Sequence, residues 1–251
     1  MLLHGIAGTG EAFGAGYDPL AERGRLIVPD VLGFAGSMNE ERSDFSVERH
    51  LEALDGMAGA LQLDGAALTV AGHSMGALLA VRWAARRSET QRVVTFCAPL
   101  YRDAAEADRH IGAMGWQERF FALETPFAHR TCAWMCRHRR LAEWVSVAIS
   151  PQWPVPLSRR GVQHTWHAYL GGMNGLIRSP AWVDALQRLA DRAVSVVLAD
   201  GALDSVPVPG RAAEVAGRFP SVSTSSHPAA SHDLPISHPD WCRALLTQAG
   251  P

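Results

Sequence analysis

Five residues, Gly72-His73-Ser74-Met75-Gly76, carry the clearest chemical signal in the chain. The apolar run Leu68-Thr69-Val70-Ala71 leads into them, and a small-residue helix over Ala77–Ala85 leads out. The period switches from strand to helix with almost no loop, which sets Ser74 on a sharp turn. Glycine at 72 keeps side chains away from that strained backbone, and glycine at 76 lets the helix pack closely on the neighbouring strand. A serine hydroxyl is a weak nucleophile until an imidazole takes its proton and an acid holds that imidazole in the right tautomer. Downstream the chain offers both in order: Asp200 and Asp204, then His227, His232 and His238. The chemistry implied is attack on a carbonyl with an acyl intermediate.

The elements that must position these groups follow from periodicity. Met1–Leu3 runs into His4-Gly5-Ile6-Ala7-Gly8-Thr9-Gly10, whose three glycines predict a tight turn with backbone N–H groups close to a bound group. Leu26-Ile27-Val28 reads as a short buried strand, ended by Pro29-Asp30 and the turn-like Gly33–Ser37. Val47, Leu51, Leu54, Ala58 and Leu61 recur at helical spacing, predicting a helix over 46–63 with Ser46 as its cap. Further strands are expected at Val93–Phe96, Ser195–Ala199 and, weakly, Val222–Thr224. Helices are expected at 182–189, 210–217 and 241–249. Strands and helices in alternation, with short apolar strands, predict an α/β fold: a mostly parallel sheet with helices on both faces.

Residues 101–180 interrupt that alternation, dividing the chain into a first core part (1–100), a helical insert (101–180) and a second core part (181–251). Helices are expected near 103–123, 127–149 and 162–176, separated by Pro151-Gln152-Trp153-Pro154-Val155-Pro156, which is not expected to be regular helix. Trp116, Trp134, Trp144, Trp153 and Trp166 fall in the insert. They read either as the lining of a largely apolar pocket or as the packing that fixes the insert to the core.

In the order of these motifs the chain resembles the α/β-hydrolase superfamily, in its capped, esterase-like branch. His4-Gly5, the Asp30 loop ending in Gly33-Phe34-Ala35-Gly36-Ser37, the Gly72–Gly76 turn, Gly201-x-x-Asp204 with Pro207, and Ser231-His232 before Pro235 all stand in family order. The resemblance implies Ser74 as nucleophile, Asp204 as the acid and His232 as the base. It implies an oxyanion hole from the backbone N–H groups of Ile6 and Met75. Asp200 is the rival acid, and His227 and His238 are rival bases. A strand or two usually precede the His-Gly turn in this family, so its first strands are expected to be missing and 26–28 to be an exposed apolar edge. Such an edge calls for an upstream start, a rearranged segment or a partner chain, and so raises the expectation of a homo-oligomer.

The expected activity is hydrolysis of a small or medium, largely apolar ester or lactone. Thioester hydrolysis, C–C bond hydrolysis and a catalytically inactive binding protein are the alternatives. The expected partner is a small-molecule substrate. With 23 Lys and Arg against 25 Asp and Glu, a net of -2, the charge balance offers no reason to expect nucleic acid. No stretch of 18 uninterrupted apolar residues predicts a membrane span. Cys97, Cys132, Cys136 and Cys242 read as reduced structural thiols, with a cytoplasmic setting expected. His129, Cys132, Cys136 and His138 cluster, but their spacing does not match a structural zinc site, so no metal is expected, and no cofactor fingerprint is present.

Overall fold

In the computed structural model, which describes residues 1–115, 125–149 and 153–248, Val70 and Val93 point to one side of a sheet while Ala71 and Val94 point to the other. That alternation reflects five parallel strands in sequence order: β1 (Leu2–Leu3), β2 (Leu68–His73), β3 (Thr90–Phe96), β4 (Ser195–Gly201) and β5 (Val222–His227). Both faces are covered. On one side pack α1 (Val47–Ala60) and α2 (Met75–Ala84). On the other lie the 3-10 segments over 10–22, with Phe13 and Tyr17, and a C-terminal helix carrying Cys242, Leu245 and Leu246. The mostly parallel α/β class expected from the sequence is the fold observed.

Helix α2 is apolar around nearly its whole circumference, and only Arg82 of its ten residues is not fully buried. Arg82 donates to the Gly175 carbonyl at 2.7 Å. Trp83 sits fully buried and donates Nε1–H to Asp55 on α1 at 2.8 Å. The helix after the serine turn is thus fixed on both sides.

The strand expected at 26–28 does not form. Those residues are half-buried, and Ile27 contributes one carbonyl, accepting from Leu2 N at 2.9 Å. The sheet edge is therefore β1, with 26–28 lying alongside as an irregular segment.

Between β3 and β4 the chain makes a long helical excursion: α3 (Ala104–Met114), α4 (Pro126–Arg137), α5 (Arg139–Ile149), α6 (Val155–Arg160), α7 (Trp166–Gly172, continued by a π turn over Met173–Ile177) and α8 (Trp182–Asp191). The helix expected at 127–149 is two helices, broken at His138, whose φ of -118° and ψ of 46° leave the helical region. The segment expected to avoid helix contains one from Val155: Pro154 stands before it and Pro156 in its first turn, where no N–H is needed. Trp116 and the rest of 116–124 fall outside the described residues, as do Pro151 and Gln152. After β4 come α9 (Arg211–Arg218), then β5, α10 (Leu234–Ser237) and α11 (Pro239–Thr247).

Candidate active site

Ser74 stands where β2 ends and α2 begins, with φ 53° and ψ -121°. That conformation is costly for a residue with a side chain, and here its neighbours enforce it. Ser74 N donates to Phe96 O at 2.9 Å. A Cβ on Gly72 would collide with the Gly76 carbonyl, and one on Gly76 with the carbonyls of Leu3 and His4. Both glycines are thus required by contact, in the roles their spacing suggested.

Asp204 lies in the turn after β4 and His232 in the loop after β5. His232 Nδ1–H donates to Asp204 Oδ2 at 2.9 Å, and Val206 N donates to Asp204 Oδ1 at 2.8 Å. The Asp204 side chain is fully buried. Burial pushes its carboxyl upward, but the His232 ring, the Val206 N–H and the Cys97 thiol together hold it below the ordinary carboxylate range. The ring of His232 is fixed from behind as well, because His73 Nε2–H donates to the His232 carbonyl at 2.7 Å. Burial, and then the nearby His232, push the His73 pKa down to about 3, so His73 is neutral.

Ser74 and His232 line one cavity of about 280 Å³. Its floor is the His4–Thr9 turn with Ala12 and His73, and its remaining wall is Ser146, Trp153 and Leu157 from the helical excursion. No hydrogen bond joins Ser74 Oγ to the imidazole among the described residues. As the first residue of α2, Met75 has an N–H that the helix leaves unused. Ile6 lies in the adjacent turn, and no backbone carbonyl accepts from its N–H among the described residues.

That turn is held by two polar groups. Buried His4 accepts from Val31 N at Nε2 (2.8 Å) and donates from Nδ1 to Gly5 O (2.8 Å). Asp30 accepts from Thr9 Oγ1 and Gly10 N with one oxygen and from Gly36 N with the other, all within 2.9 Å. One carboxylate therefore ties the glycine turn to the 33–37 loop.

The rivals separate. His227 and His238 pack against each other, tilted with ring centres 3.9 Å apart, beside Trp241, and neither lines the cavity. Asp200 sits close to Asp204, and burial, then the Asp204 charge, raise its pKa to about 6. Cys97, read from the sequence only as a reduced structural thiol, stands just past β3 with φ 55°, donates Sγ–H to Ser231 O at 3.8 Å and lies beside Asp204, a placement whose only signal in the sequence is its position at the carboxyl edge of a strand. Among the described residues, the one group of three side chains close enough to hold a metal is His73, Cys97 and His232. One ring nitrogen of each histidine is already engaged there, His73 Nε2 with the His232 carbonyl and His232 Nδ1 with Asp204. His129 stacks on Trp166, and His138 packs tilted against Trp134, instead of converging with Cys132 and Cys136. Of the five tryptophans, Trp153 lines the cavity, Trp134 and Trp144 face outward, and Trp166 stacks between His129 and Tyr169.

The chain belongs to the alpha/beta hydrolase family, whose model matches residues 1–245. It is similar to a probable lysophospholipase, BODYGUARD 4 of Arabidopsis thaliana, at 26% identity over 230 residues, covering 85% of this chain and 54% of that protein. The chain thus spans about half the length of that relative. Among solved structures, E-2-(acetamidomethylene)succinate hydrolase superposes with a TM-score of 0.73 at 19% identity, covering 98% of this chain and 88% of the other. A thermophilic esterase from Thermogutta terrifontis gives 0.65 at 21%, covering 98% and 89%. At these identities the structural likenesses establish the fold. No helix among the described residues is long and apolar enough to cross a membrane.

Proposed function

We propose that this alpha/beta hydrolase cleaves a small or medium, largely apolar carboxylic ester or lactone through an acyl-enzyme on Ser74. The observation that carries the reading is the 2.9 Å bond from His232 to buried Asp204, with His232 and Ser74 on one cavity. His232 takes the Ser74 proton as Oγ adds to the carbonyl carbon, and the carbonyl electrons move onto oxygen. The N–H groups of Ile6 and Met75 receive that oxyanion; removing one such donor costs roughly 3 kcal/mol of transition-state stabilisation. As the intermediate collapses, the imidazolium returns its proton to the departing alcohol. Water then attacks the acyl-enzyme with His232 again as base, releasing the acid and restoring Ser74. Asp204 keeps the Nδ1–H tautomer throughout.

Residues 101–180 act as a cap in this reading, with Ser146, Trp153 and Leu157 supplying the wall over Ser74. Ile6, Ala7, Ala12, Trp153 and Leu157 favour an apolar substrate. The relative named as a probable lysophospholipase supports ester chemistry. Four free thiols fit a cytoplasmic setting.

The test is a panel of p-nitrophenyl esters of increasing acyl length beside matched acyl thioesters, with Ser74→Ala as control. Ester turnover that falls at least about 10³-fold in the variant is the expected result. Full activity in Ser74→Ala would sink the serine mechanism. A strong preference for the thioesters would reassign the same site to thioester hydrolysis.

A further inference from the structure

Six of the seven large apolar side chains that stand exposed among the described residues fall between 127 and 155: Phe127, Trp134, Leu141, Trp144, Val145 and Val155. They are arranged by helical period. On α4, Phe127 and Trp134 lie two turns apart on the outer face, while Ala128 and Cys132 are buried on the inner one. On α5, Leu141, Trp144 and Val145 form one outward stripe, with Trp144 62% exposed, while Ala142 is buried beneath. Ser146, on the inward side, donates to Ser158 O at 2.7 Å and lines the cavity over Ser74. The wall of the site therefore has an apolar outer surface. Large apolar side chains exposed together on two adjacent helices mark a face that meets something.

The charge on the same stretch says what it meets. Residues 125–160 contain six arginines and a single acid, Glu143, in a chain whose net charge is -2. Arg130, Arg137 and Arg140 are exposed beside the stripe and form no ion pair among the described residues. Arg159 stacks on the ring of Trp144, its guanidinium 4.3 Å from the ring centre, which places positive charge at the level of the indole. A second copy of this chain would bring arginine against arginine across a two-fold contact, which such a cluster opposes. An anionic lipid surface complements both features. Tryptophan, phenylalanine and leucine enter the boundary between headgroups and acyl chains, while guanidinium groups meet phosphates.

We propose that the outer face of α4 and α5, with the start of α6, docks the protein peripherally on anionic lipid bilayers or micelles. Docking requires no hydrolysis, so the inference stands apart from the reaction assigned to Ser74. It places the wall of the cavity against the lipid, with Ser146 and Leu157 on its protein side.

The experiment is vesicle flotation of the full chain, with phosphatidylcholine vesicles and with phosphatidylcholine–phosphatidylglycerol vesicles. Two surface variants are compared, Leu141→Ser/Trp144→Ser and Arg137→Glu/Arg140→Glu, each checked for an unchanged melting transition. The wild type is expected to float with the mixed vesicles, far less with phosphatidylcholine alone, and to be released by salt. Each variant should partition at least about tenfold more weakly. Failure of the wild type to float with mixed vesicles would overturn the proposal, as would equal binding to both vesicle types. So would unchanged binding of both folded variants. A concentration-dependent dimer that Leu141→Ser/Trp144→Ser disperses would assign the face to a second copy instead. Should a variant fail to fold, the lipid comparison with the wild type alone decides.

Discussion

His73 Nε2 holds the backbone carbonyl of His232 at 2.7 Å, so the residue just before the serine turn fixes the loop that bears the proposed base. The two rings lie 4.8 Å apart at 47°. Because burial keeps His73 neutral, with a pKa near 3, it contributes a hydrogen-bond donor and no charge. His73→Phe keeps the apolar packing and removes the donor. The expected result is a fall in kcat of roughly 10- to 100-fold from misplacement of His232, with KM for a small ester changed little. His73→Gln, which can still donate, should recover part of the loss. Equal kcat in wild type and His73→Phe would show that the loop is held by other contacts.

Two glycines should respond to alanine with opposite signs. A Cβ at Gly76 would press into the carbonyls of Leu3 and His4, which are backbone and cannot turn aside. Gly76→Ala should therefore cost several kcal/mol, about 3 or more, or abolish folding. Gly56 lies within α1 on its exposed side, with nothing within 4 Å of an added Cβ. Gly56→Ala should stabilise by about 0.5–1 kcal/mol, because alanine at that position loses less backbone freedom on folding than glycine does. Urea denaturation of both variants reads the difference.

The fold is legible from the sequence because strands and helices announce themselves through period. The apolar runs at 68–71, 93–96 and 195–199 lie within β2, β3 and β4, and the glycines at 72 and 76 mark the turn between β2 and α2. The order acid then base after Ser74 is legible too, but choosing Asp204 over Asp200, and His232 over His238, rests on family register and not on periodicity. The break at His138 is hidden because nothing in the sequence around it, neither proline nor glycine, signals a stop. The outward turn of Trp134 and Trp144 is hidden for a different reason: an aromatic stripe on a helix looks the same whether it faces a pocket, a core or the outside. Likewise Ser146, Trp153 and Leu157 reach Ser74 only through tertiary packing.

Asp200 tests the electrostatics beneath the site. Burial, followed by repulsion from Asp204, raises its pKa to about 6, so the folded state keeps a proton that the unfolded chain releases near the ordinary value of 3.8. Between those two pH values the folded state binds more protons than the unfolded one, and stability falls as pH rises. The full cost, about 2–3 kcal/mol, is in place above pH 6. Asp200→Asn removes the ionisation while keeping an acceptor. It should therefore be more stable than wild type at pH 7–8, and the advantage should disappear near pH 4. Denaturant melts at the two pH values measure it, and an equal effect at both would refute the electrostatic account.

Asp30 has the opposite sign and a different reach. Burial pushes its carboxyl upward, but the N–H groups of Gly10 and Gly36 and the Thr9 hydroxyl outweigh that, leaving it below the ordinary carboxylate range. Its stabilisation is therefore present above the unfolded value and is lost as pH falls through the lower folded one. In Asp30→Asn one side-chain oxygen can still accept from Thr9 and Gly10, but an NH₂ then faces the Gly36 N–H, donor against donor. The loss should be about 1–3 kcal/mol at pH 7 and should shrink as the pH drops below the carboxylate range. The kinetic effect follows from what the carboxylate ties down. The glycine turn that Asp30 holds carries Ile6, whose N–H is the proposed donor to the oxyanion, so a loosened turn should lower kcat more than it raises KM. A variant that loses stability while keeping full kcat would separate the two roles, leaving Asp30 with the loop and Ile6 held in place by His4 and its own packing.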